Sequence, residues 1–298
     1  MAPVQTPPRY MHDRRDGHGD GGHGDGGGDD SGDSDGGRSE EEVPISGATD
    51  GARDAVAYGP GGSKAKVISA NEPFAGRKSG GGVRGEVYGT SEYGSGYPGL
   101  PAGSVAGRGF PFVFWPVVWR SGGYGAPYLY DPEYGTPMNT SRPGGALALA
   151  TFSAPHANST LFVVADTSTV ASLLTSIQKA CTLDTDSSSK VPKPFDGSAS
   201  EPQPEQVVQY YRASSVALLL YGYNNTDALM PQGADGGKTV VLPGWVDRTL
   251  LDCLNTTIGE AVPLFSGTDS SIYLPSVLGA IGGIVLFSLL LWGCKRSA

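Results

Sequence analysis

The chain has 298 residues, of which 46 are glycine and 23 are proline, so roughly a quarter of it belongs to the two residue types least suited to the interior of helices and strands. The formal net charge of −9 is uneven, because residues 1–57 contain 13 acidic and 5 basic residues while residues 58–298 contain 17 and 16. No basic domain or lysine/arginine stripe is present, which argues against a nucleic-acid partner.

Residues 1–57 are predicted to be a disordered, acidic tail rich in glycine, aspartate and histidine. The stretch from residue 18 to residue 35 contains no apolar side chain at all. Such a stretch cannot bury enough surface to offset the entropy lost on folding. A solvated tail is therefore expected, and no metal site is predicted there.

Residues 58–144 are predicted to be a second low-complexity segment, rich in glycine, tyrosine and proline. Seven of the 14 tyrosines lie between residues 79 and 135, mostly next to glycine. The segment contains the apolar run 110–119, FPFVFWPVVW, whose two prolines and short length exclude a membrane-spanning helix. Two alternatives follow: an extended strap packed on the next domain, or an exposed patch for self-association or contact with a membrane interface.

Residues 145–264 are predicted to form a small α+β domain. Short apolar runs predict strands, whereas apolar residues at helical spacing predict helices. The predicted strands are 146–152, 161–165, 214–221 and 240–242. The predicted helices are 168–181, capped by Thr167 or Ser168, a short helix opening at 204–206, and 247–262.

Cys181 and Cys253 lie within this domain. Cys181 is the last residue of the predicted helix 168–181, and Cys253 lies inside the predicted helix 247–262. In a luminal domain they are expected to form a disulfide, worth roughly 4 kcal/mol for a loop of this length in the chain-entropy model. In the cytosol they would stay reduced.

The segment Ile272–Cys294 is predicted to be one transmembrane helix. It contains 23 residues and no charge, and a helix of that length reaches about 34 Å, enough for a hydrocarbon core of ~30 Å. Gly279 and Gly283 have the spacing that favours close helix packing and dimerisation. Cys294 is a palmitoylation candidate.

The basic residues of the short tail 295–298 favour a cytosolic C-terminus, with the N-terminal part luminal or extracellular. The sequence thus predicts a single-pass protein of the plasma membrane or secretory pathway, with membrane lipid as its partner. Four N-glycosylation sequons support this topology. They begin at Asn139, Asn158, Asn224 and Asn255.

Two other topologies stay open. The first 20 residues contain no apolar region typical of a signal peptide. A tail-anchored protein would keep the body of the chain in the cytosol. A lipid-anchor signal would use Ser266-Gly267 or Ser270-Ser271 as its small cleavage-site residues.

Two glycine-rich runs resemble nucleotide-binding or phosphate-binding motifs, but neither fits the full pattern and structural context that such a motif requires. Gly80–Gly85 matches a dinucleotide-binding pattern but is not placed between a strand and a helix. Gly233–Thr239 is one residue short of a phosphate-binding loop, and His156 is the only histidine outside the tail. The sequence therefore predicts no catalytic residue, no cofactor and no metal.

Four stretches of the chain resemble a family of uncharacterised proteins from mushroom-forming basidiomycete fungi. They are Gly80–Gly99, Gly107–Trp119, Pro204–Asn225 and Leu250–Leu264. The resemblance implies a fungal membrane or secreted protein and brings no activity, ligand or catalytic residue. We expect a non-enzymatic surface or secretory-pathway glycoprotein, with cell-wall contact as one role. The alternative is a membrane-anchored enzyme or adaptor whose site forms only in three dimensions.

Overall fold

The computed structural model describes residues 38–49, 51–119, 127–156, 158–229 and 241–267. These residues form a mixed structure of helices and antiparallel strands, which confirms the α+β class. Near the N-terminus lie two small antiparallel pairs. Strands β1 (Glu41–Pro44) and β2 (Asp54–Ala57) form one pair, and β3 (Lys66–Val67) and β4 (Lys78–Ser79) form the other.

The centre of the fold is a five-stranded antiparallel sheet in the order β7-β5-β6-β9-β8. Its strands are β5 (Leu147–Ser153), β6 (Thr160–Asp166), β7 (Lys193–Pro194), β8 (Val207–Tyr211) and β9 (Val216–Leu220). The three inner strands are nearly continuous apolar runs, most of whose residues are buried. A sheet that buries both of its faces has this pattern, so a layer is required on each side.

Two helices of 14 residues, α1 (Thr167–Ala180) and α2 (Arg248–Ala261), form one of these layers. Each begins at an aspartate, Asp166 or Asp247, whose carboxylate accepts a hydrogen bond from a backbone N–H of the first turn. The Tyr211 hydroxyl donates to the Asn255 side chain at 2.7 Å, which places α2 over this face of the sheet.

The run 110–119 lies on the opposite face. Neighbouring residues of a strand point to opposite faces, and Tyr210, next to Tyr211, accepts a hydrogen bond from the Trp119 indole at 3.1 Å. The backbone N–H of Val117 also donates to Ser214 at 2.8 Å. Every residue from Trp115 to Trp119 is buried, and so are Phe110, Phe112 and Phe114. The structure confirms the packed strap, and the exposed patch for self-association through 110–119 is not formed.

Residues 58–144 are of low complexity in composition, yet the part of them that the structure describes is packed into the fold. Thirteen buried residues of this segment belong to the same core as the sheet. Those outside the run 110–119 are Ile68, Val87, Tyr93, Tyr97, Val105, Leu129 and Tyr134. Their glycine neighbours make the turns: Gly94 has φ +74°, and a Cβ there would overlap the carbonyl of Gly103. The alternation of glycine and tyrosine thus encodes turns and buried rings.

Other predicted boundaries also change. Strands β1 and β2 lie within residues 1–57, which were assigned to the disordered tail, and Val56 of β2 exchanges backbone hydrogen bonds with Leu264 at 2.8 and 3.1 Å. Residues 1–37 lie outside the described residues. Strand β8 was not predicted, and residues 241–242 form no strand.

Among the described residues, no helix is both long and apolar enough to cross a bilayer. The predicted transmembrane segment Ile272–Cys294 and the tail 295–298 lie outside them.

The packing predicts that a fragment of residues 145–267 will not fold alone, whereas residues 38–267 will. The shorter fragment lacks the strap, so one face of its sheet would be open to water. Circular dichroism during thermal unfolding should show a cooperative transition for the longer fragment only. A cooperative transition for residues 145–267 would contradict this account of the strap.

Candidate functional site

The most strongly charged site in the interior is built on Asp166, the last residue of β6. Its buried carboxylate accepts hydrogen bonds from the backbone N–H of Thr169 at 2.9 Å and from the Thr169 hydroxyl at 2.7 Å. Asp166 therefore ends a central strand and begins α1 at the same time. A buried carboxylate requires a cationic or hydrogen-bonding partner, because leaving it unpaired costs several kcal/mol.

Arg212 provides that partner from the turn between β8 and β9. Its guanidinium donates to Asp166 Oδ2 at 2.9 Å, to the Ser215 hydroxyl at 2.8 Å and to the Pro263 carbonyl at 2.8 Å. It also lies 3.5 Å from the centroid of the Phe114 ring. Burial lowers the pKa of Arg212 to about 10, and the nearby Asp166 charge opposes that decrease. The side chain therefore stays cationic at neutral pH.

A second arginine, Arg142, is fully buried close to the strap. Its Nη2 donates to the carbonyls of Trp115 and Pro116 at 2.9 and 2.6 Å, whereas Nε and Nη1 have no hydrogen-bond partner. Burial lowers the pKa of Arg142 to about 10, with the Asp166 charge acting in the opposite direction. Asp166 thus forms an ion pair with Arg212, whereas Arg142 is held by the carbonyls of the strap.

The backbone around Arg212 is strained. Arg212, Ala213 and Ser214 have φ values of +50°, +51° and +59°, a region that non-glycine residues rarely occupy even singly. The turn is held by the Arg212 N–H, which donates to Val87 at 2.7 Å. It is also held by the Ser214 hydroxyl, which donates to Ser95 at 3.1 Å. Contacts from the glycine-rich segment therefore stabilise a turn that would not form unaided.

The charged side chains of this cluster, Asp166, Arg142 and Arg212, are all buried, and their hydrogen bonds hold structural elements together. Beside the strap, Trp115, Phe110 and Thr49 help to line a cavity of about 10 Å³, too small for more than one water molecule. No group of three or more histidine, cysteine or acidic side chains in the described ranges could hold a metal ion. His156 is exposed in the loop between β5 and β6.

The disulfide predicted between Cys181 and Cys253 is present. It joins the C-terminal end of α1 to the middle of α2, and the two Cα atoms are 5.8 Å apart. The two helices of one layer are therefore linked covalently, which adds to the contacts between them.

The four predicted sequons occupy different environments. Asn158 and Asn224 are exposed, and Asn139 is partly exposed. Asn255 lies on α2, where its side-chain oxygen accepts the hydrogen bond from Tyr211, and the Thr257 hydroxyl of the same sequon is buried. The folded structure therefore favours the first three sites and disfavours Asn255.

Several predicted residues lie outside the described ranges. They are Gly279 and Gly283, the palmitoylation candidate Cys294, and the glycine-rich run 233–239. Gly80–Gly85 is described. It runs into a 3-10 turn, Arg84–Glu86, whose Arg84 side chain donates to the carbonyls of Gly59 and Val262.

Comparison of the chain with protein-family models, curated proteins and solved structures finds no significant match.

The ion pair predicts that Asp166→Asn will destabilise the folded protein by about 3–5 kcal/mol, because it leaves Arg212 as an uncompensated buried charge. Asparagine is itself a good N-cap, so helix capping is largely kept. Asp247→Asn is the matched control, since Asp247 caps α2 without contacting an arginine. Its effect should stay below about 1 kcal/mol. Urea unfolding measures both, and equal effects would contradict the role of the ion pair.

The exposure of the sequons predicts that any attached glycans will be found on Asn139, Asn158 and Asn224 and not on Asn255. A glycan on Asn255 would require this residue to give up its contact with Tyr211. Glycopeptide mass spectrometry of protein from a eukaryotic secretory pathway measures the occupancy of each site. Full occupancy of Asn255 in folded protein would contradict the packing of α2 against Tyr211.

Proposed function

We propose that the described domain is the luminal or extracellular part of a single-pass membrane glycoprotein of the secretory pathway or plasma membrane, with a binding or structural role. The observation that carries this proposal is the disulfide between α1 and α2. Disulfides form and persist in oxidising compartments and are rare in the cytosol.

Two further observations support the same topology. The sequon residues Asn158 and Asn224 are exposed, as the acceptor for a glycan must be. Four residues separate Gly267, the last described residue, from the apolar segment Ile272–Cys294. Backbone pairing between Gly62 and Ser266 holds the chain against the domain almost to that point. With the apolar segment in a bilayer, the domain would lie close to the membrane surface.

The positions of the buried arginines support a binding or structural role. Burial lowers the pKa values of Arg84, Arg142 and Arg212 to about 10. Each of these side chains donates hydrogen bonds to backbone carbonyls of other segments and so joins structural elements. Perturbed ionisable groups of a catalytic site would instead be expected in an open cleft. A rigid, covalently linked domain next to the membrane suits contact with an external partner. In a fungal cell, that partner would be the cell wall.

The proposal predicts which cysteines of the full chain react with a maleimide in intact microsomes. Cys181 and Cys253 should react only after reduction, because they are paired in the lumen. Cys294 is the internal control: after hydroxylamine treatment to release any thioester, its thiol should react from the cytosolic side without reduction. Glycosidase treatment should also increase electrophoretic mobility.

Reaction of Cys181 and Cys253 without reduction, together with no glycosidase shift, would show a cytosolic domain and overturn the proposal. Release of the intact chain by carbonate washing would overturn the membrane anchor on its own.

A further inference from the structure

The end of the sheet near the loop between β5 and β6 exposes aromatic side chains. Tyr221, directly after β9, is 63% exposed, and Trp245 is 47% exposed. The Tyr221 ring packs edge-on against the half-buried Phe162, with 6.2 Å between ring centroids. Trp245 lies beside Gly222, the residue that follows Tyr221. A Cβ atom placed on Gly222 would be 3.9 Å from the Trp245 indole, which is van der Waals contact. We call Phe162, Tyr221 and Trp245 the aromatic end of the sheet.

Most large aromatic rings of the described residues are buried. Of the three exposed rings, Tyr88 packs against Tyr211, whereas Tyr221 and Trp245 both lie at this end of the sheet and require an explanation. Exposed apolar patches commonly mark contacts with a ligand or partner. A ligand with an apolar face and a polar rim would suit these rings. Aromatic side chains offer a large contact area and lose little conformational entropy on binding.

The chain itself brings such an occupant to this place. Asn224, the first residue of a sequon, follows Tyr221 by three residues, and three residues span at most about 10 Å. The intervening turn is fixed, because Tyr223 N–H donates to Leu220 at 3.1 Å and Gly222 has φ +74°. On the far side, the Asn225 N–H donates to Glu205 at 2.7 Å. Asn224 is therefore exposed on a constrained turn, with its Cα at most about 10 Å from that of Tyr221.

We propose that Asn224 carries an N-linked glycan whose first N-acetylglucosamine packs against Tyr221 and covers the aromatic end of the sheet. The C–H face of the sugar ring contacts the tyrosine ring, while the sugar hydroxyl groups stay in water. This inference rests on the proposed luminal topology, because the glycan is added only there.

The other sequons lack this arrangement. Asn139 follows Tyr134, whose ring is buried, and Asn255 contacts the buried Tyr211. Asn158 lies in the loop at the same end of the sheet, but Ser159 beside it is buried and bonded to the backbone of Trp245 and Asp247. A glycan on Asn158 is therefore a competing occupant that the test must distinguish.

The test is a double-mutant cycle on the full chain, made in a eukaryotic secretory pathway and purified in detergent. Tyr221→Ser removes the ring, and Thr226→Ala removes the sequon while leaving Asn224 in place. In the glycosylated protein, Tyr221→Ser should lower Tm by about 2–4 °C, the size of a 1 kcal/mol effect in a domain of this length. In the Thr226→Ala background it should change Tm by less than about 1 °C.

Two controls make the result specific. Ser141→Ala removes the sequon at Asn139 and should leave the effect of Tyr221→Ser unchanged. Asn158→Gln should also leave it unchanged, and loss of the effect in that background would assign the patch to the Asn158 glycan and overturn the proposal. Removal of the Asn224 glycan from folded wild-type protein by peptide N-glycosidase should reproduce the Thr226→Ala result without any mutation at Thr226.

The outcomes separate this inference from the proposed function. If no sequon carries a glycan, the inference fails and the proposed function loses support. If other sequons are glycosylated but Asn224 is not, or if Tyr221→Ser acts equally with and without the glycan, the inference alone is overturned.

Discussion

The ion pair between Asp166 and Arg212 is the interaction on which the other layers of the fold depend. Asp166 belongs to the central strand β6 and to the first turn of α1, while Arg212 belongs to the turn between β8 and β9. The same guanidinium contacts the Pro263 carbonyl after α2 and the Phe114 ring of the strap. One buried pair thus connects the sheet, the helical layer and the strap, and displacement of any of these elements would remove a contact from the buried Arg212 guanidinium.

This constraint explains why so much of the glycine-rich segment is ordered. The turn that carries Arg212 has three successive residues with positive φ, which is unfavourable for an isolated hairpin. Val87 and Ser95 accept hydrogen bonds from this turn, and Val117 of the strap donates one to it. The segment is therefore required to hold the turn, and the turn is required to place Arg212.

Structural features set by local sequence patterns could be predicted, whereas those set by contacts between distant residues could not. Strands β5 and β6 and both helices were predicted to within about two residues, because apolar runs and helical spacing are local patterns. The Cys181–Cys253 pairing followed from there being two cysteines in one domain. Residues 58–119 were misjudged because composition alone does not show which rings become buried.

The Asp166–Arg212 contact was missed because its partners are 46 residues apart. Local signals existed, since Asp166 is followed three residues later by Thr169 at a helix start, and Arg212 precedes an apolar run. They indicate a cap and a buried charge, but not which charge pairs with which. Of the candidate sites, the disulfide and the exposed sequons were visible in the sequence, whereas the aromatic end required the sheet to bring Phe162 and Tyr221 together.

Native-state hydrogen exchange followed by mass spectrometry tests most directly whether the buried pair joins the layers into one cooperative unit. The account predicts that the slowest amides of α1, β6, β9 and the strap will exchange with the same opening free energy, equal to that of global unfolding. Exchange of the strap amides through a much smaller opening, while α1 and the sheet stay protected, would contradict it.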